Sequence, residues 1–297
     1  MRSHPAEYEL ITPAGLDAVL RLMADEPGVW TPVAGGTEIM VQFSAGRLAP
    51  RRFVSVWGLP ELRRMDENNG VLTIGGGCTF AQLRAHPAVQ RHLPMLAKAA
   101  SWTGSIANQN RATLAGNIVN ASPAADSPPA LLAYGAEVEL ISAAGTRRMP
   151  YAEFHLGYKK TALAANELLL AVHLPVGFEG WFQHARKTGA RNAQAISKIC
   201  VAAMGRLQGG RIAEVRIGMG AVAPTPLRLR QTEDILTGAR IDTTWIDAPL
   251  IAEARRALVS EIAPIDDIRS TAEYRRMVAA NLLEEFLRVF AASGLGA

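Results

Sequence analysis

The sequence predicts an α+β protein with two domains, and three observations support this prediction. The chain has 297 residues, more than a single domain usually contains. Turn residues at 177–180 separate two structured regions, so we place the domains at residues 1–178 and 179–297. The second region shows β-type runs before helical periodicity, an order that fits an antiparallel sheet packed by helices.

Short helical and strand patterns alternate in the first region. Thr12 and Pro13 suit the N-cap and the first position of a helix, and Thr79 suits the N-cap of another. Ala144 and Gly145 are predicted to form a hairpin turn. The other predicted elements are strands at 30–34, 53–57, 71–75, 137–142 and 168–174 and helices at 92–102 and 128–134.

The second region begins with two predicted strands, at 198–207 and 211–221. Gln208, Gly209 and Gly210 join them with the sequence of a tight hairpin. Beyond this hairpin the spacing of apolar residues predicts helices at 231–237, 244–260 and 271–290.

Composition excludes several classes of function. The net charge is +4, but the arginines are scattered or paired, so nucleic-acid binding is not favoured. No uncharged apolar run reaches the ~20 residues of a membrane span, and no signal peptide opens the sequence. The two cysteines, Cys78 and Cys200, cannot form a four-thiolate cluster and are interpreted as core thiols. We expect a cytoplasmic protein.

The segment Val33–Ile39 carries the first functional signal. Its residues Ala34 to Glu38 offer consecutive backbone N–H groups and the Thr37 hydroxyl, which suit a pyrophosphate held by backbone donors rather than by lysine charge. The alternative is an ordinary strand-to-helix turn that needs its glycines for their backbone angles. The segment is neither a Walker sequence nor G-x-G-x-x-G.

The second signal lies about eighty residues later, at Arg111–Asp126. The Asp126 carboxylate suits a ribose or ribityl hydroxyl, as acids do in other dinucleotide sites. The alternative is that Asp126 caps the following helix, and both roles can hold at once. Two such loops in this order indicate a dinucleotide held from two sides. The polar and small residues of the second loop that we single out are Thr113, Gly116, Asn117, Ser122 and Asp126.

Other motifs add little chemistry. Gly75-Gly76-Gly77 is interpreted as a structural turn, since Cys78, Thr79 and a helix follow it directly. None of the six histidines pairs with another at metal-ligand spacing, and no G-x-S-x-G occurs. We therefore predict no catalytic acid–base residue and no metal site. A bound cofactor would then supply the chemistry.

The two loops resemble the paired signatures of the FAD-binding subunits of the xanthine dehydrogenase family of molybdenum hydroxylases. That family shows A-G-G-T-[DE] and T-x-G-G-N-I-x-x-A-S-P-x-x-D, and here Ala115 replaces one glycine of the second signature. Residues 157–169 and 187–201 are similar to two further family segments, G-Y-[RK]-K-T followed by E-[IL], and K-x₃–₄-R-x-x-x-A-I-x-x-V.

The resemblance implies two α/β FAD-binding subdomains of the PCMH type and a smaller C-terminal domain of antiparallel sheet plus helices. Leu168 and Leu169 would lie against the flavin ring. Lys187 would approach its pyrimidine edge, unless it is a surface lysine flanking a strand. Tyr158 would lie where an electron acceptor docks, unless it is buried in a hairpin. The residues expected to bind FAD are Val33, Ala34, Gly35, Gly36, Thr37, Glu38, Ile39, Thr103, Gly104, Thr113, Gly116, Asn117, Asn120, Ser122, Ala125, Asp126, Leu168, Leu169 and Lys187.

The resemblance also implies an oxidoreductase complex. The molybdenum cofactor would lie on a large subunit and the [2Fe–2S] clusters on a small one, in a dimer of heterotrimers. Electrons would reach FAD from the clusters and leave to an external acceptor. Some relatives carry acids that contact NAD, whereas residues 192–195 contain none, which leaves quinone, cytochrome and oxygen as other acceptors. The alternatives are a free-standing FAD-dependent oxidase or reductase and a cofactor-free assembly module.

Overall fold

The computed structural model describes residues 3–191, 194–241 and 246–293. The chain is 37% helical and 27% strand, which confirms the α+β class. In chain order the strands are β1 (Glu9–Ile11), β2 (Thr31–Val33), β3 (Arg52–Ser55), β4 (Met65–Asn68), β5 (Val71–Gly75), β6 (Glu137–Ser142), β7 (Gly145–Pro150), β8 (His155–Gly157), β9 (Lys160–Thr161), β10 (Leu168–Pro175), β11 (Phe182–Thr188), β12 (Ile199–Gln208), β13 (Arg211–Gly220) and β14 (Leu227–Arg228).

The helices lie between and after these strands. In chain order they are α1 (Leu16–Asp25), α2 (Ile39–Ala45), α3 (Phe80–Ala85), α4 (Pro87–His92), α5 (Pro94–Trp102), α6 (Ile106–Gln109), α7 (Leu114–Val119), α8 (Pro128–Tyr134), α9 (Arg230–Leu236), α10 (Ala248–Glu261) and α11 (Ala272–Ala292). No helix in the described ranges is long and apolar enough to cross a membrane.

Two larger sheets form most of the first half of the molecule, and β8 and β9 form a separate two-stranded sheet there. A parallel sheet has the order β1-β3-β2, and an antiparallel sheet has the order β4-β5-β10-β6-β7. The second sheet is packed by α3, α5, α7 and α8 over one buried cluster, because its strands and helices both present apolar residues there. The predicted strands at 71–75 and 137–142 and the predicted helix at 128–134 are confirmed to the residue.

Some predicted helix starts are wrong. Helix α1 begins at Leu16 rather than beside Thr12, because Ile11 still pairs with Val54 in the parallel sheet. The predicted helix at 92–102 is confirmed as α5 but begins two residues later, at Pro94, because His92 still belongs to α4 and proline suits the first position of a helix. The cap at Thr79 is confirmed, with a reciprocal Thr79–Gln82 capping box.

The second half is a four-stranded antiparallel sheet, in the order β11-β12-β13-β14, packed by α9, α10 and α11. Gly209 and Gly210 both have positive φ, at 58° and 69°, as the tight hairpin between β12 and β13 requires. Strand β11 was not predicted. The start of the predicted helix at 244–260 lies outside the described residues, and α10 itself begins at Ala248.

The two halves are packed closely together. Helix α8 lies on β12 and β13, and a Cβ atom added to Gly218 would stand 2.2 Å from the Pro129 carbonyl oxygen. Ala185, Ala202 and Met204 of the second half belong to the main buried cluster of the first. This close contact fixes the C-terminal sheet relative to the glycine loops.

Candidate functional site

The first glycine loop connects the edge strand β2 to α2. Gly36 has φ of +72°, which favours glycine. Within the described chain, the backbone N–H groups of Gly35, Gly36, Thr37 and Glu38 have no acceptor, and neither does the Thr37 hydroxyl. Buried or partly buried N–H groups in proteins are almost always paired with protein, water or ligand. This loop is therefore a row of donors available to an anion.

The second glycine loop is more strongly tied internally. Thr113 caps α7, and its Oγ1 accepts a hydrogen bond from the Gly116 N–H at 3.1 Å. The Asn117 Oδ1 accepts from the Ser127 hydroxyl at 2.7 Å. Ser122 Oγ accepts from the Ala124 N–H at 3.4 Å. Ala115, the departure from the family signature, lies inside α7, where an alanine needs no unusual backbone angle.

The fold brings the two loops into direct contact. A Cβ atom on Gly35 would stand 1.7 Å from the Arg111 carbonyl oxygen, so only glycine allows this approach. The Arg111 Nε in turn donates to the Gly35 carbonyl at 3.4 Å, and its guanidinium stacks 4.0 Å from the centre of the Trp57 ring. The two glycine loops, about eighty residues apart in sequence, are thus in backbone contact in the fold.

A cleft of about 370 Å³ opens beside this contact. Its size is within the range of small-molecule and cofactor sites. Of the predicted residues, it is lined by Ala34, Thr113, Gly116, Leu168 and Leu169. The cleft-lining residues that the sequence did not predict are Met23, Thr31, Pro32, Val56, Leu62, Gly76, Gly77, Ala115, Val119, Thr161, Leu163, Ala164, Ala165 and Glu167.

Leu168 and Leu169 both reach the cleft although they are neighbours in a strand. Consecutive strand residues normally point to opposite faces. Here the register of β10 against β6 shifts between Leu169 and Ala171, which indicates a bulge at this point. Bulges re-aim side chains beside functional sites, and this one accounts for two adjacent leucines in one wall.

An ion pair secures the chain just before these leucines. Both oxygens of Glu167 accept from the Arg147 guanidinium, at 2.6 Å and 2.8 Å, and Glu167 Oε2 also accepts from the Ala164 N–H at 2.8 Å. Arg147 holds the pKa of the Glu167 carboxyl below its ordinary value. Glu167 is therefore a charged, firmly placed group at the cleft wall.

The hairpin of β8 and β9 lies beside the second loop. His155 Nε2 is 2.9 Å from the Ile118 carbonyl oxygen, and the Lys159 ammonium donates to Asn120 Oδ1 at 2.6 Å. Tyr158 is 67% exposed at the hairpin tip, so the alternative of a buried tyrosine is wrong.

A second group of predicted residues lies where the second loop meets the C-terminal sheet. The Lys187 ammonium, on β11, donates to Asp126 Oδ2 at 2.7 Å and to the Trp102 carbonyl at 3.2 Å. The Ser197 hydroxyl donates to Asp126 Oδ1. The side chains of Lys187 and Asp126 are 11% and 8% exposed. Thr103 and Gly104 follow Trp102 directly, and Ala125 precedes Asp126.

This arrangement corrects two alternatives. Lys187 is not a surface lysine. Asp126 does not cap α8, whose N-cap is Ser127 without a side-chain bond, because the carboxylate is turned to Lys187 and Ser197. Burial raises the pKa of the Asp126 carboxyl, and the charge and hydrogen bond of Lys187 oppose that rise.

The two cysteines are buried in the core, and Cys200 donates from its Sγ to the Ala125 carbonyl at 3.7 Å. Cys78 and Cys200 are free and buried, and burial raises their pKa values to about 11 and about 12, as expected for core thiols. The described residues contain no cluster of three or more His, Cys, Asp or Glu that could hold a metal ion.

The arrangement fits a dinucleotide cofactor. Unpaired N–H groups suit a pyrophosphate, the leucine wall suits a flat ring, and glycine occupies the position where a Cβ atom would fill the contact. Fold and cleft thus define a dinucleotide-binding class of protein, and comparison with known sequences gives the family. Residues 6–177 match the FAD binding domain in molybdopterin dehydrogenase, and residues 184–290 match the CO dehydrogenase flavoprotein C-terminal domain.

The chain therefore belongs to the family of FAD-binding subunits of xanthine and carbon monoxide dehydrogenases. It is 35% identical over 264 residues to the xanthine dehydrogenase FAD-binding subunit of Escherichia coli O157:H7, covering 88% of each chain. It is 26% identical over 283 residues to the carbon monoxide dehydrogenase medium chain of Hydrogenophaga pseudoflava, covering 95% of this chain and 96% of that one.

Solved structures agree with this assignment. Carbon monoxide dehydrogenase from Hydrogenophaga pseudoflava superposes with a TM-score of 0.90 at 25% identity, over 98% of this chain and 99% of that one. Quinoline 2-oxidoreductase from Pseudomonas putida 86 superposes with a TM-score of 0.87 at 26% identity, over 98% of each chain. The protein is an FAD-binding oxidoreductase subunit, and partner chains in this family carry the molybdenum cofactor and iron–sulfur clusters.

Proposed function

We propose that this chain is the electron-transferring subunit of a molybdenum hydroxylase complex. It would receive electrons from [2Fe–2S] clusters on a small partner chain and pass them to an external acceptor. When bound, FAD supplies the redox chemistry, and the protein holds it and adjusts its electronics. The observation that carries the proposal is the cleft beside two touching glycine loops, one of which presents unpaired N–H groups.

The residues of the first loop would hold the pyrophosphate. The N–H groups of 35–38 provide the donors, and Val33 and Ile39 anchor the loop to β2 and α2. In the second loop, Asn117, Asn120 and Ser122 would meet polar groups of the dinucleotide. Asp126 would accept from a ribose or ribityl hydroxyl, because each carboxylate oxygen has a further lone pair beyond its bond to Lys187 or Ser197.

The leucine wall and Lys187 would act on the flavin ring. Leu168 and Leu169 are 5% and 4% exposed and present an apolar surface that excludes water. The Lys187 ammonium makes two hydrogen bonds to described residues and has three N–H groups, which leaves one for the ring's pyrimidine edge. Thr103 and Gly104 would lie at the same end, next to Trp102. A cation there favours a reduced, negatively charged ring.

The partner chains follow from the family. We propose a large molybdenum-cofactor subunit and a small [2Fe–2S] subunit, assembled as a dimer of heterotrimers in the cytoplasm. The two free thiols support a reducing compartment. We place the domain boundary at 178/179, supported by Gly177 and Gly180, which both have positive φ there. Tyr158, exposed at its hairpin tip, would contact the acceptor or a partner.

Part of the argument on the acceptor lies outside the described residues. The segment 192–195 has no acid, but positions 192 and 193 are not described, so the structure adds nothing to that observation. NAD, a quinone, a cytochrome and oxygen therefore remain the candidates. Measuring the rate at which each one reoxidises the reduced complex would choose among them.

The first test is an absorbance spectrum of the purified chain, followed by release and identification of any yellow compound. We expect flavin bands near ~370 and ~450 nm and close to one FAD per chain. Co-purifying molybdenum and iron–sulfur chains would support the complex. A chain that binds FAD and oxidises or reduces a substrate without partner chains would favour the free-standing oxidase or reductase. A colourless chain that takes up no FAD would favour the assembly module.

A further inference from the structure

The β8–β9 hairpin places one lysine beside both glycine loops. We propose that Lys159 is a direct electrostatic ligand of the dinucleotide's pyrophosphate, so that the loop's backbone donors are assisted by a full positive charge. The proposal rests on the proposed function and departs from the sequence interpretation, which expected backbone donors alone. Four features of the structure lead to it.

First, Lys159 is tied to the second loop. Its ammonium donates to Asn120 Oδ1 at 2.6 Å, and Asn120 is the residue at which α7 ends. A lysine ammonium has three donors. Asn120 is the sole acceptor for Lys159 among the described residues, so two of its N–H groups are available to a ligand.

Second, Lys159 lies within electrostatic reach of the first loop. The Glu38 carboxylate, at the end of that loop, raises the pKa of the Lys159 ammonium, while partial burial lowers it more strongly. Lys159 itself is exposed at the hairpin tip, so its ammonium is open to a ligand in the cleft.

Third, the hairpin is fixed at both ends and holds its tip in an uncommon backbone state. Tyr151 and Phe154 are fully buried just before β8, and Thr161 of β9 lines the cleft. Lys159 has φ of +56°, a value that costs a residue with a side chain some stability. Such strained positions cluster at ligand sites, where surrounding packing maintains them.

Fourth, the other two cations at the loops are held by partners of their own, and Lys187 is tied to Asp126 and the Trp102 carbonyl. Arg111 uses its Nε on the Gly35 carbonyl and its guanidinium face on Trp57. Glu38 brings a negative charge to the same loop, which disfavours a pyrophosphate unless a cation offsets it. Lys159 interacts with the Glu38 charge and keeps two N–H groups for the phosphate oxygens.

The test is a binding titration on the full chain freed of FAD, with FAD, ADP and riboflavin as probes. FAD and ADP carry the pyrophosphate and riboflavin does not. We expect Lys159→Gln to weaken FAD and ADP binding about tenfold, the size of a hydrogen bond to a charged group, and to leave riboflavin binding within about twofold. Lys160→Gln, one residue further along the hairpin, is the matched control and should bind all three as the wild type does.

Two further variants separate the proposal from other roles of Lys159. Lys159→Arg keeps the charge and should restore most ADP affinity. If Lys159 only neutralised Glu38, the double variant Glu38→Gln/Lys159→Gln would recover wild-type affinity, and that result would overturn the proposal. Equal loss for riboflavin would also overturn it, since it would indicate a distorted hairpin. If the wild type itself binds neither FAD nor ADP, the proposed function fails as well. If the wild type binds both and Lys159→Gln binds them as tightly as Lys160→Gln does, the inference about Lys159 alone fails.

Discussion

Two glycine clusters lie at the same cleft, which Ala34 lines beside the first and Gly76 and Gly77 line in the second, and they differ in what their backbone N–H groups do. The N–H groups of Gly35 and Gly36 have no acceptor in the described part of the chain. Those of Gly75, Gly76 and Gly77 donate to the carbonyls of Arg64, Leu170 and Leu62, at 2.7–2.8 Å. In both clusters a Cβ atom would meet backbone: at Gly76 it would stand 2.4 Å from the Leu169 carbonyl oxygen.

The difference separates a binding loop from a packing turn. Both need glycine, so the two motifs look similar in the sequence. In the 75–77 turn every donor is used to hold β5 to its neighbours, which confirms the structural interpretation. In the first loop the donors are left for something outside the chain. Backbone hydrogen bonds, rather than glycine content, distinguish the two.

The largest expected effects come from one alanine in each cluster. Gly76→Ala should lower the free energy of unfolding of the FAD-free chain by about 4 kcal/mol or more, because its Cβ atom meets a buried carbonyl. The Cβ atom of Gly35→Ala would stand even closer to a carbonyl, 1.7 Å from that of Arg111. The Gly35 N–H makes no backbone hydrogen bond, however, so the loop can move away without losing one. This variant should therefore unfold closer to wild type but weaken FAD binding at least about 100-fold, since it separates the two loops. Urea denaturation and flavin titration measure both quantities.

Each variant controls for the other. The distinction between a binding loop and a packing turn is wrong if Gly35→Ala destabilises the FAD-free chain as much as Gly76→Ala does, because the first loop would then be part of the packing. The distinction is also wrong if Gly35→Ala binds FAD with wild-type affinity. Stability is compared without FAD because a ligand that binds only the folded state adds apparent stability.

Much of the fold could be predicted from the sequence, and the site only in part. Helix α8 and strands β5 and β6 were correct to the residue because their apolar periodicity agrees with local capping and turn residues. The two loops were recognised, but the cleft was not, because residues such as Val119 and Leu163 have no local signal and meet only through the fold. Strand β11 was missed, since its alternation Phe182–Thr188 is mostly polar.

The same question, whether a group packs the fold or stays open to a ligand, applies to the charged Lys187–Asp126 pair. Removing its lysine should have the next largest effect on the free energy of unfolding. Lys187→Met leaves the Asp126 carboxylate buried without its cation. We expect the free energy of unfolding of the FAD-free chain to fall by about 3–5 kcal/mol. The double variant Asp126→Asn/Lys187→Met should recover part of this loss. A decrease in the free energy of unfolding of less than about 1 kcal/mol would show that water reaches the Asp126 carboxylate and that the Lys187–Asp126 pair is open to solvent, as the first loop is.

The Glu167–Arg147 pair should give a smaller, pH-dependent effect, because Arg147 is half exposed. Arg147 holds the pKa of folded Glu167 below its ordinary value of 4.5. The folded chain thus keeps the carboxylate ionised where the unfolded chain takes up a proton. The pair's stabilisation is therefore present above pH 4.5 and is lost as the pH falls through the folded pKa.

Glu167→Gln checks this sign. Its free energy of unfolding should lie below that of the wild type near neutral pH, and the gap should close as the pH falls below 4.5. Urea denaturation across this range measures the gap. A gap that stays constant with pH would mean that Glu167 acts through shape and not through charge, which would make this wall a packing element like the 75–77 turn.

The smallest effects come from two threonine caps, one beside the 75–77 turn and one in the second glycine loop. Thr79 follows the packing turn and caps α3, whereas Thr113 caps α7 and lines the cleft. Either change to alanine should lower the free energy of unfolding by about 1 kcal/mol, the usual cost of a lost cap. Thr113→Ala should in addition weaken FAD binding several-fold, because the Gly116 N–H loses its acceptor and the cleft wall loosens. Thr79→Ala should bind FAD as the wild type does once its stability is taken into account. If the two variants weaken FAD binding equally, the 75–77 turn and the glycine loops form one cooperative unit. The distinction between packing and binding would then apply to the glycines and not to the residues that follow them.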